Sequence, residues 1–260
     1  MKAIIVAAGT GSRLGELAKD TPKSLIDVNG QSILERQISI FKKLGISDIT
    51  VIIGPHTEKF TFKNISFIQD KNYLEHDILS SLMLARSIMH DDIIVSYGDV
   101  IFDEHVLQPL INFKGSIGLC IDLNWEKNYG GSKLELKKEA TTVQIKNNMC
   151  AKIVDGRELA KSKIKGNSKQ SEHKKQELGE FVGLMRLSKH GSMIFIKRYE
   201  ELINSHIGSF QEAPSISQAY FTDMLQELID NDTEILPIAV QGKWCEIDTI
   251  EDLKRAKDMF

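Results

Sequence analysis

The amino-terminal half of the chain alternates short apolar runs with amphipathic segments. Residues 3–8 contain no polar side chain and end at glycine, which is typical of a strand buried on both faces. Apolar residues recur at helical spacing over 32–44, before Gly45, and predict an amphipathic helix. Residues 49–53 are a β-branched run that ends at a Gly-Pro pair, so they predict a second strand.

The same alternation continues to residue 99. We expect a short strand at 65–68, a helix at 80–89 with Leu82, Leu84 and Ala85 facing inward, and a strand at 93–97 that ends at Gly98-Asp99. This rhythm predicts an α/β fold: a Rossmann-like, mostly parallel sheet flanked by helices. Ligands of such sheets bind at the carboxyl ends of the strands.

The second half of the chain is less regular. Strand-like runs occur at 116–122, 140–145, 151–154, 179–184 and 235–240, and helical patterns at 192–203 and 220–229. Residues 156–178 are rich in Lys, Glu, Ser, Gln and Gly, which predicts a flexible surface segment or, alternatively, a mobile lid within a smaller inserted region. We expect one domain over 1–260, with halves at 1–122 and 123–260.

Composition narrows the classes of function. The 260 residues are 42% hydrophobic and 27% charged, with a net charge of −3, so a basic footprint for nucleic acid is absent. No apolar stretch approaches the length of a membrane span, and the chain starts directly in a strand without a signal-peptide pattern. We therefore expect a cytoplasmic protein with no membrane and no nucleic-acid partner, either monomer or homodimer. Its three cysteines have no metal-binding spacing.

The first predicted strand leads into a glycine-rich turn with two nearby cations. Gly9 and Gly11 allow backbone N–H groups to approach an anion, and Arg13 and Lys23 add positive charge, so the pattern predicts a polyphosphate site. The dinucleotide fingerprint would need glycine where Leu14 stands, which weakens an NAD-type oxidoreductase. The Gly-Lys-Ser/Thr of a mononucleotide phosphate loop is also missing.

The segment Ala7-Ala8-Gly9-Thr10-Gly11-Ser12-Arg13-Leu14, followed by Thr21-Pro22-Lys23, closely resembles a motif of nucleotidyltransferases that activate sugar phosphates and small phosphorylated alcohols. The resemblance implies that residues 7–13 wrap the triphosphate of an incoming NTP and that Arg13 and Lys23 hold phosphate charge. It also implies that 1–122 is the NTP-binding half and 123–260 the acceptor-binding half.

Two aspartates are candidates for holding a divalent cation. Mg2+ prefers one or two carboxylates together with phosphate oxygens and water, and Asp99 follows a predicted strand directly. Tyr97-Gly98-Asp99 resembles the metal-binding segment of the family, and Asp248 in Glu246-Ile247-Asp248 resembles its second metal carboxylate. The resemblance thus implies Mg2+ on Asp99 and Asp248, and a catalytic set that is completed by Arg13 and Lys23.

The base and the acceptor are predicted from further resemblances. Residues 72–77, the following Ser80-Ser81 and the segment 244–248 are similar to cytidylyltransferases that act on phosphocholine, phosphonates and phosphoamides, which implies CTP. Base contacts are expected from Gly54, Ser80 or Ser81. The acceptor pocket is expected to be lined by Trp125, Glu180, Trp244 and Glu246, unless both tryptophans belong to the core.

Three functions remain after this reasoning. The first is Mg2+-dependent CMP transfer from CTP to a small phosphorylated or phosphonate acceptor, with release of pyrophosphate. The second is the same chemistry with UTP or dTTP and a sugar 1-phosphate. The third, a catalytically inactive nucleotide-binding regulatory module, is disfavoured because Lys23, Asp99 and Asp248 are all present.

Overall fold

The computed structural model of the protein describes residues 1–129, 140–154 and 177–260. Its strands are β1 (Lys2–Ala7), β2 (Asp27–Val28), β3 (Gln31–Ser32), β4 (Ile49–Ile53), β5 (Ser66–Gln69), β6 (Ile93–Tyr97), β7 (Val100–Phe102), β8 (Ile117–Asp122), β9 (Thr142–Lys146), β10 (Met149–Val154), β11 (Glu177–Leu187), β12 (Leu236–Ala239) and β13 (Trp244–Glu246). Its α-helices are α1 (Ile33–Lys43), α2 (Ile78–Met83), α3 (Glu104–Asn112), α4 (Lys189–Ser205), α5 (Phe221–Asp230) and α6 (Ile250–Met259).

Nine of these strands form one central sheet. Strands β5, β4, β1 and β6 lie side by side and are parallel. Strand β11 is antiparallel to β6 on one side and to β8 on the other, and β12 completes this edge parallel to β8. The hairpin β9–β10 pairs with the start of β11. The predicted α/β architecture, a mostly parallel sheet flanked by helices, is therefore confirmed.

The sheet has a hydrophobic core on each face. Side chains alternate along β1, so that Ile4 and Val6 pack into one cluster while Ala3 and Ile5 pack into the other. A third, smaller cluster under α6 joins Leu14 to residues at the end of the chain, including Ile247. This third cluster ties the turn after β1 to residues that are more than two hundred positions away in sequence.

Some local predictions were wrong. The helix expected at 80–89 is shorter: α2 ends at Met83, a 3-10 turn spans Arg86–Ile88, and Leu84 is exposed rather than facing inward. The predictions also omitted α3 and the antiparallel pair β7–β13. Of the segment predicted to be flexible, residues 156–176 lie outside the described residues, and 177–178 begin β11. Among the helices that the structure describes, none combines the length and apolar character that crossing a bilayer requires.

Two glycines flank the carboxyl end of β1. A Cβ atom on Gly54 would lie 2.4 Å from the carbonyl oxygen of Ala8. On the other side, a Cβ atom on Gly98 would lie 2.7 Å from the Cβ atom of Ala7, and its N–H donates to the carbonyl of Val6. The turns that follow β4 and β6 therefore press against the turn that follows β1, which brings three strand ends together.

We predict that Gly54→Ala destabilises the fold by about 2 kcal/mol, because the added methyl group meets backbone that cannot rotate away. Chemical denaturation measures this loss. The matched control is Gly9→Ala, since no heavy atom lies within 4 Å of the position that its Cβ would take. Equal stability of the Gly54→Ala variant and the wild type would contradict the close packing of the three turns.

Candidate active site

A cleft opens at the carboxyl ends of β1 and β6, where the predicted phosphate-binding turn lies. The turn leaves β1 at Ala8 and passes through Gly11, which has a φ of +66°. A Cβ atom on Gly11 would lie 3.0 Å from the Cβ atom of Lys23, so the glycine allows the turn to pack against this lysine. The side chain of Leu14 anchors the turn in the third core cluster.

Lys23 connects the turn to both predicted metal-binding aspartates. Its ammonium group donates to Oδ2 of Asp99 at 2.7 Å and also to Oδ1 of Asp248. The guanidinium group of Arg13 lies 2.8 Å from the same Asp248 oxygen. Burial lowers the pKa of Lys23, but the carboxylates of Asp99 and Asp248 outweigh this effect and hold it above its ordinary value. Lys23 therefore remains a cation across the physiological pH range.

Strand pairing brings together the two aspartates, which are 149 positions apart in sequence. Asp99 occupies the tight turn between β6 and β7, and β7 pairs antiparallel with β13, two residues before Asp248. The N–H of Ile247 donates to the backbone carbonyl of Asp99 at 3.0 Å. The backbone N–H of Asp248 donates to Asp252, whose carboxylate also accepts from Thr249 at the start of α6. Backbone hydrogen bonds thus fix both carboxylates at one place.

The carboxylates of Asp99, Glu246 and Asp248 form a group that fits a divalent cation. One oxygen from each lies within 4.8 Å of the others. Oδ1 of Asp99 is buried and has no hydrogen-bond partner among the described residues, as is expected of an oxygen that coordinates a cation when one is bound. Desolvation by the surrounding protein and the charges of Asp99 and Asp248 raise the pKa of Glu246 well above its usual range. This hard, all-oxygen donor set is the kind that Mg2+ prefers.

Comparisons with known proteins point to nucleotidyltransferases. Residues 3–118 match the family model of the MobA-like NTP transferase domain. The CTP:phosphoglutamine cytidylyltransferase of Campylobacter jejuni is 26% identical over 267 residues, which cover 98% of this chain and 98% of that protein. The 2-aminoethylphosphonate cytidylyltransferase of Lancefieldella rimae is 35% identical over 114 residues, or 41% of this chain and 46% of that protein.

The chain is thus similar to nucleotidyltransferases, along nearly its whole length in one relative and over its amino-terminal part in the family model. The solved structure of the CTP:phosphocholine cytidylyltransferase from Streptococcus pneumoniae has the same fold, with a TM-score of 0.70 at 18% identity, covering 99% of this chain and 97% of that one. The family resemblance that the residues 7–14 and 21–23 indicate is therefore confirmed.

One wall of the cleft is formed by α2 and the residues before it. Ser81 lines the cleft and donates to the buried carboxylate of Asp70 at 2.7 Å. Ser80, also predicted as a base contact, donates instead to the carbonyl of Ser217 at 3.2 Å. Gly54, the third predicted base contact, packs against Ala8 as described above. Of the three, the structure places Ser81 alone among the residues that line this cleft.

The residues predicted to line an acceptor pocket divide into two groups. Trp125 and Trp244 are 6% and 7% exposed, and the indole N–H of Trp244 donates to Asp122 at 2.9 Å, so both belong to the interior. Glu246 lies beside Asp99 and Asp248. Glu180 is buried, and its charge contributes to the raised pKa of Glu246.

Tyr97 is an aromatic residue next to the Asp99 turn that the sequence did not point to. Its ring packs at 5.9 Å from Phe181 and 4.9 Å from Phe221, measured between ring centroids. Burial, followed by the charges of Glu246 and Asp99, raises the pKa of its hydroxyl well above the ordinary value. The position was predictable in part, because Tyr97 directly precedes Gly98-Asp99 in the recognised segment.

Gln37 was also missed, although it holds the turn that carries Asp99. This buried α1 side chain donates to the carbonyls of Tyr97 at 2.9 Å and of Val100 at 2.6 Å, on either side of Gly98-Asp99. Its own carbonyl oxygen accepts from the hydroxyl of Ser96 at 3.0 Å. A glutamine among the apolar positions of a predicted helix was the available signal.

We predict that Gln37→Leu weakens both stability and the positioning of Asp99. The variant takes the partner from the carbonyl of Val100, while the carbonyl of Tyr97 and the hydroxyl of Ser96 keep their mutual contact at 3.2 Å, so the loss costs about 1–3 kcal/mol. If the turn carrying Asp99 then loosens, the Mg2+ concentration needed for half-maximal activity rises. Denaturation and metal titration measure the two effects, with the exposed Gln108→Leu as control. Lost stability with an unchanged Mg2+ requirement would restrict Gln37 to a structural role.

Proposed function

We propose that this nucleotidyltransferase transfers CMP from CTP to a small phosphorylated or phosphonate acceptor and releases pyrophosphate, with Mg2+ as cofactor. The observation that carries the proposal is the meeting of Lys23, Asp99 and Asp248 beside the glycine-rich turn. CTP as donor is supported by the names of the relatives that match this chain, one of them along almost its whole length.

The reaction requires positioning and charge neutralisation more than proton transfer. An oxygen of the acceptor phosphate or phosphonate attacks the α-phosphorus of CTP, a new P–O bond forms, and the bond between the α-phosphorus and the bridging oxygen breaks. Pyrophosphate leaves with that electron pair. The acceptor oxygen is already ionised near neutral pH, so a general base is not required. Arg13, Lys23 and the N–H groups of the turn stabilise the negative charge.

The cofactor would be held by Asp99 and Asp248, with Glu246 at the same place. Mg2+ supplies neutralisation of the triphosphate, which otherwise repels an anionic acceptor. Lys23 contributes a permanent positive charge between the turn and the carboxylates, because its pKa is held above the ordinary value. The chain therefore provides cations for the triphosphate and, in direct contact with them, carboxylates for the metal ion.

We predict that a pyrophosphate-release screen, with each NTP crossed against phosphorylated amides, amino alcohols, sugars and phosphonates, gives the highest turnover with CTP and a non-sugar acceptor. Asp99→Asn, of the same size as the wild-type side chain, should reduce Mg2+-dependent turnover by about 100-fold or more, because an oxygen ligand and its charge are lost. Thermal unfolding checks that the variant remains folded.

Three outcomes of these experiments count against the proposal. Preferred turnover of UTP or dTTP with a sugar 1-phosphate would replace it with the sugar-nucleotide alternative. Wild-type-like turnover by Asp99→Asn would remove this residue from the metal site. Binding of nucleotide without turnover for every acceptor class would favour a regulatory module.

We predict that Lys23→Met mainly lowers kcat, by about 100-fold, because a cation beside the developing charge is lost while the side-chain length is kept. Steady-state kinetics with saturating CTP and acceptor measure the change. The control is Lys197→Met on α4, whose side chain is 80% exposed and pairs only with Glu201 on the same helix in the described structure. An unchanged kcat in Lys23→Met would exclude the lysine from the catalytic machinery.

A further inference from the structure

The hydroxyl group of Ser81 has a direction that is fixed by its partner. Ser81 lies on α2, lines the cleft and is 4% exposed. Its Oγ lies 2.7 Å from Oδ2 of Asp70. An ionised carboxylate only accepts hydrogen bonds, and a serine hydroxyl has a single proton, so this proton is committed to Asp70. What Ser81 can still offer to a ligand is the lone pairs of its oxygen.

Asp70 is itself held in one orientation. It is 1% exposed, and its backbone N–H donates to the carbonyl of Ile53 at the end of β4. Its Oδ1 accepts from the backbone N–H of Asn72 at 3.1 Å and lies 3.2 Å from Nε2 of His76. With Oδ1 engaged in this way, Oδ2 is the oxygen that faces Ser81. The direction of the Ser81 hydroxyl is therefore set both by the carboxylate of Asp70 and by the backbone contacts that hold Asp70 in place.

An acceptor at this position distinguishes the pyrimidine bases. Cytosine carries an exocyclic amino group, which donates, where uracil and thymine carry a carbonyl oxygen, which accepts. Two acceptors facing each other repel and leave both without a partner, whereas an amino group completes the hydrogen bond. Tyr73 and Ile78 line the same cleft and provide ring and aliphatic surface for a flat base.

We propose that Ser81, oriented by Asp70, is a specificity-determining residue that accepts a hydrogen bond from the amino group of cytosine and thereby rejects UTP and dTTP. The proposal rests on the proposed function in one respect, namely that the cleft binds a pyrimidine nucleoside triphosphate. Beyond the proposed function, it names Oγ of Ser81 as the atom that selects the base and Asp70 as the residue that sets the direction of the hydroxyl.

Asp70→Asn reverses the direction of the hydroxyl with little change in shape. The N–H of Asn72 continues to require an acceptor, so the amide oxygen stays in the place of Oδ1 and the amide NH2 takes the place of Oδ2. That NH2 donates to Ser81, whose proton is then released toward the cleft, where it meets a carbonyl better than an amino group. We expect the kcat/KM ratio of CTP to UTP to fall by about tenfold or more.

Ser81→Ala tests the hydrogen bond itself, whereas Asp70→Asn tests the direction of the hydroxyl group. Ser81→Ala removes the acceptor without supplying a donor, so we expect weaker use of CTP and no gain for UTP. Both variants are compared with Ser87→Ala, an exposed serine just beyond α2, which should keep the wild-type ratio. Because each ratio is measured within one variant, a loss of folded protein cancels. Equilibrium binding of CTP and UTP in the presence of Mg2+ gives a second readout that needs no acceptor.

The two readouts separate this proposal from the proposed function. A wild type that prefers CTP in binding, with Asp70→Asn shifted toward UTP, supports base selection by Ser81 even if no acceptor in the panel reacts. Unchanged CTP-to-UTP ratios in both variants overturn base selection and leave CMP transfer intact. A wild type that binds CTP and UTP equally overturns it as well.

Discussion

The candidate active site depends on holding three carboxyl groups close together. Asp99, Glu246 and Asp248 place carboxylate oxygens within 4.8 Å of one another, and such an arrangement is unfavourable without a cation. Lys23 supplies that charge from the protein side, with Arg13 on the same Asp248 oxygen. The arrangement suits the proposed binding of a metal ion and a polyphosphate, since each would bring charge that the residues already present can balance. The same electrostatics that would destabilise an ordinary surface therefore prepare this one for its ligands.

Bringing those charges together requires backbone structure that local propensity does not reveal. The Ala3–Ala8 run, the α1 pattern and the 93–97 run predicted the parallel strands and the edge at which the glycine turns meet, because a buried strand and an amphipathic helix are each encoded locally. Strand β11, antiparallel within the sheet, could not be predicted in this way, since strand direction is decided by pairing with distant partners. The pair β7–β13, three residues per strand, is too short for a period to be recognised.

The site shows the same division. Gly9, Gly11, Arg13, Lys23 and the two aspartates were selected because their residue types have a chemical meaning within a recognisable segment. Gln37 and Asp70 act indirectly. Gln37 holds the backbone that carries Asp99, and Asp70 orients the hydroxyl of Ser81. Nothing in the sequence around them indicates which distant atom they contact. Conversely, an indole is compatible with a pocket and with a core, and burial of Trp125 and Trp244 had to come from the structure.

Reaction chemistry and base selection are supported by different parts of the molecule, which explains how one fold can serve several nucleotides. In the proposed function the Lys23–Asp99–Asp248 group would contact charges that every NTP carries, so it would not distinguish bases. The wall formed by α2 carries no formal charge at Ser81. There the direction of one hydroxyl group is enough to favour a base that donates a hydrogen bond over a base that accepts one. Because that direction is set by Asp70, which lies under the wall and is almost fully buried, a change of base preference needs no change in the catalytic group. Base preference can thus vary while the phosphate-binding turn and the carboxylates remain the same.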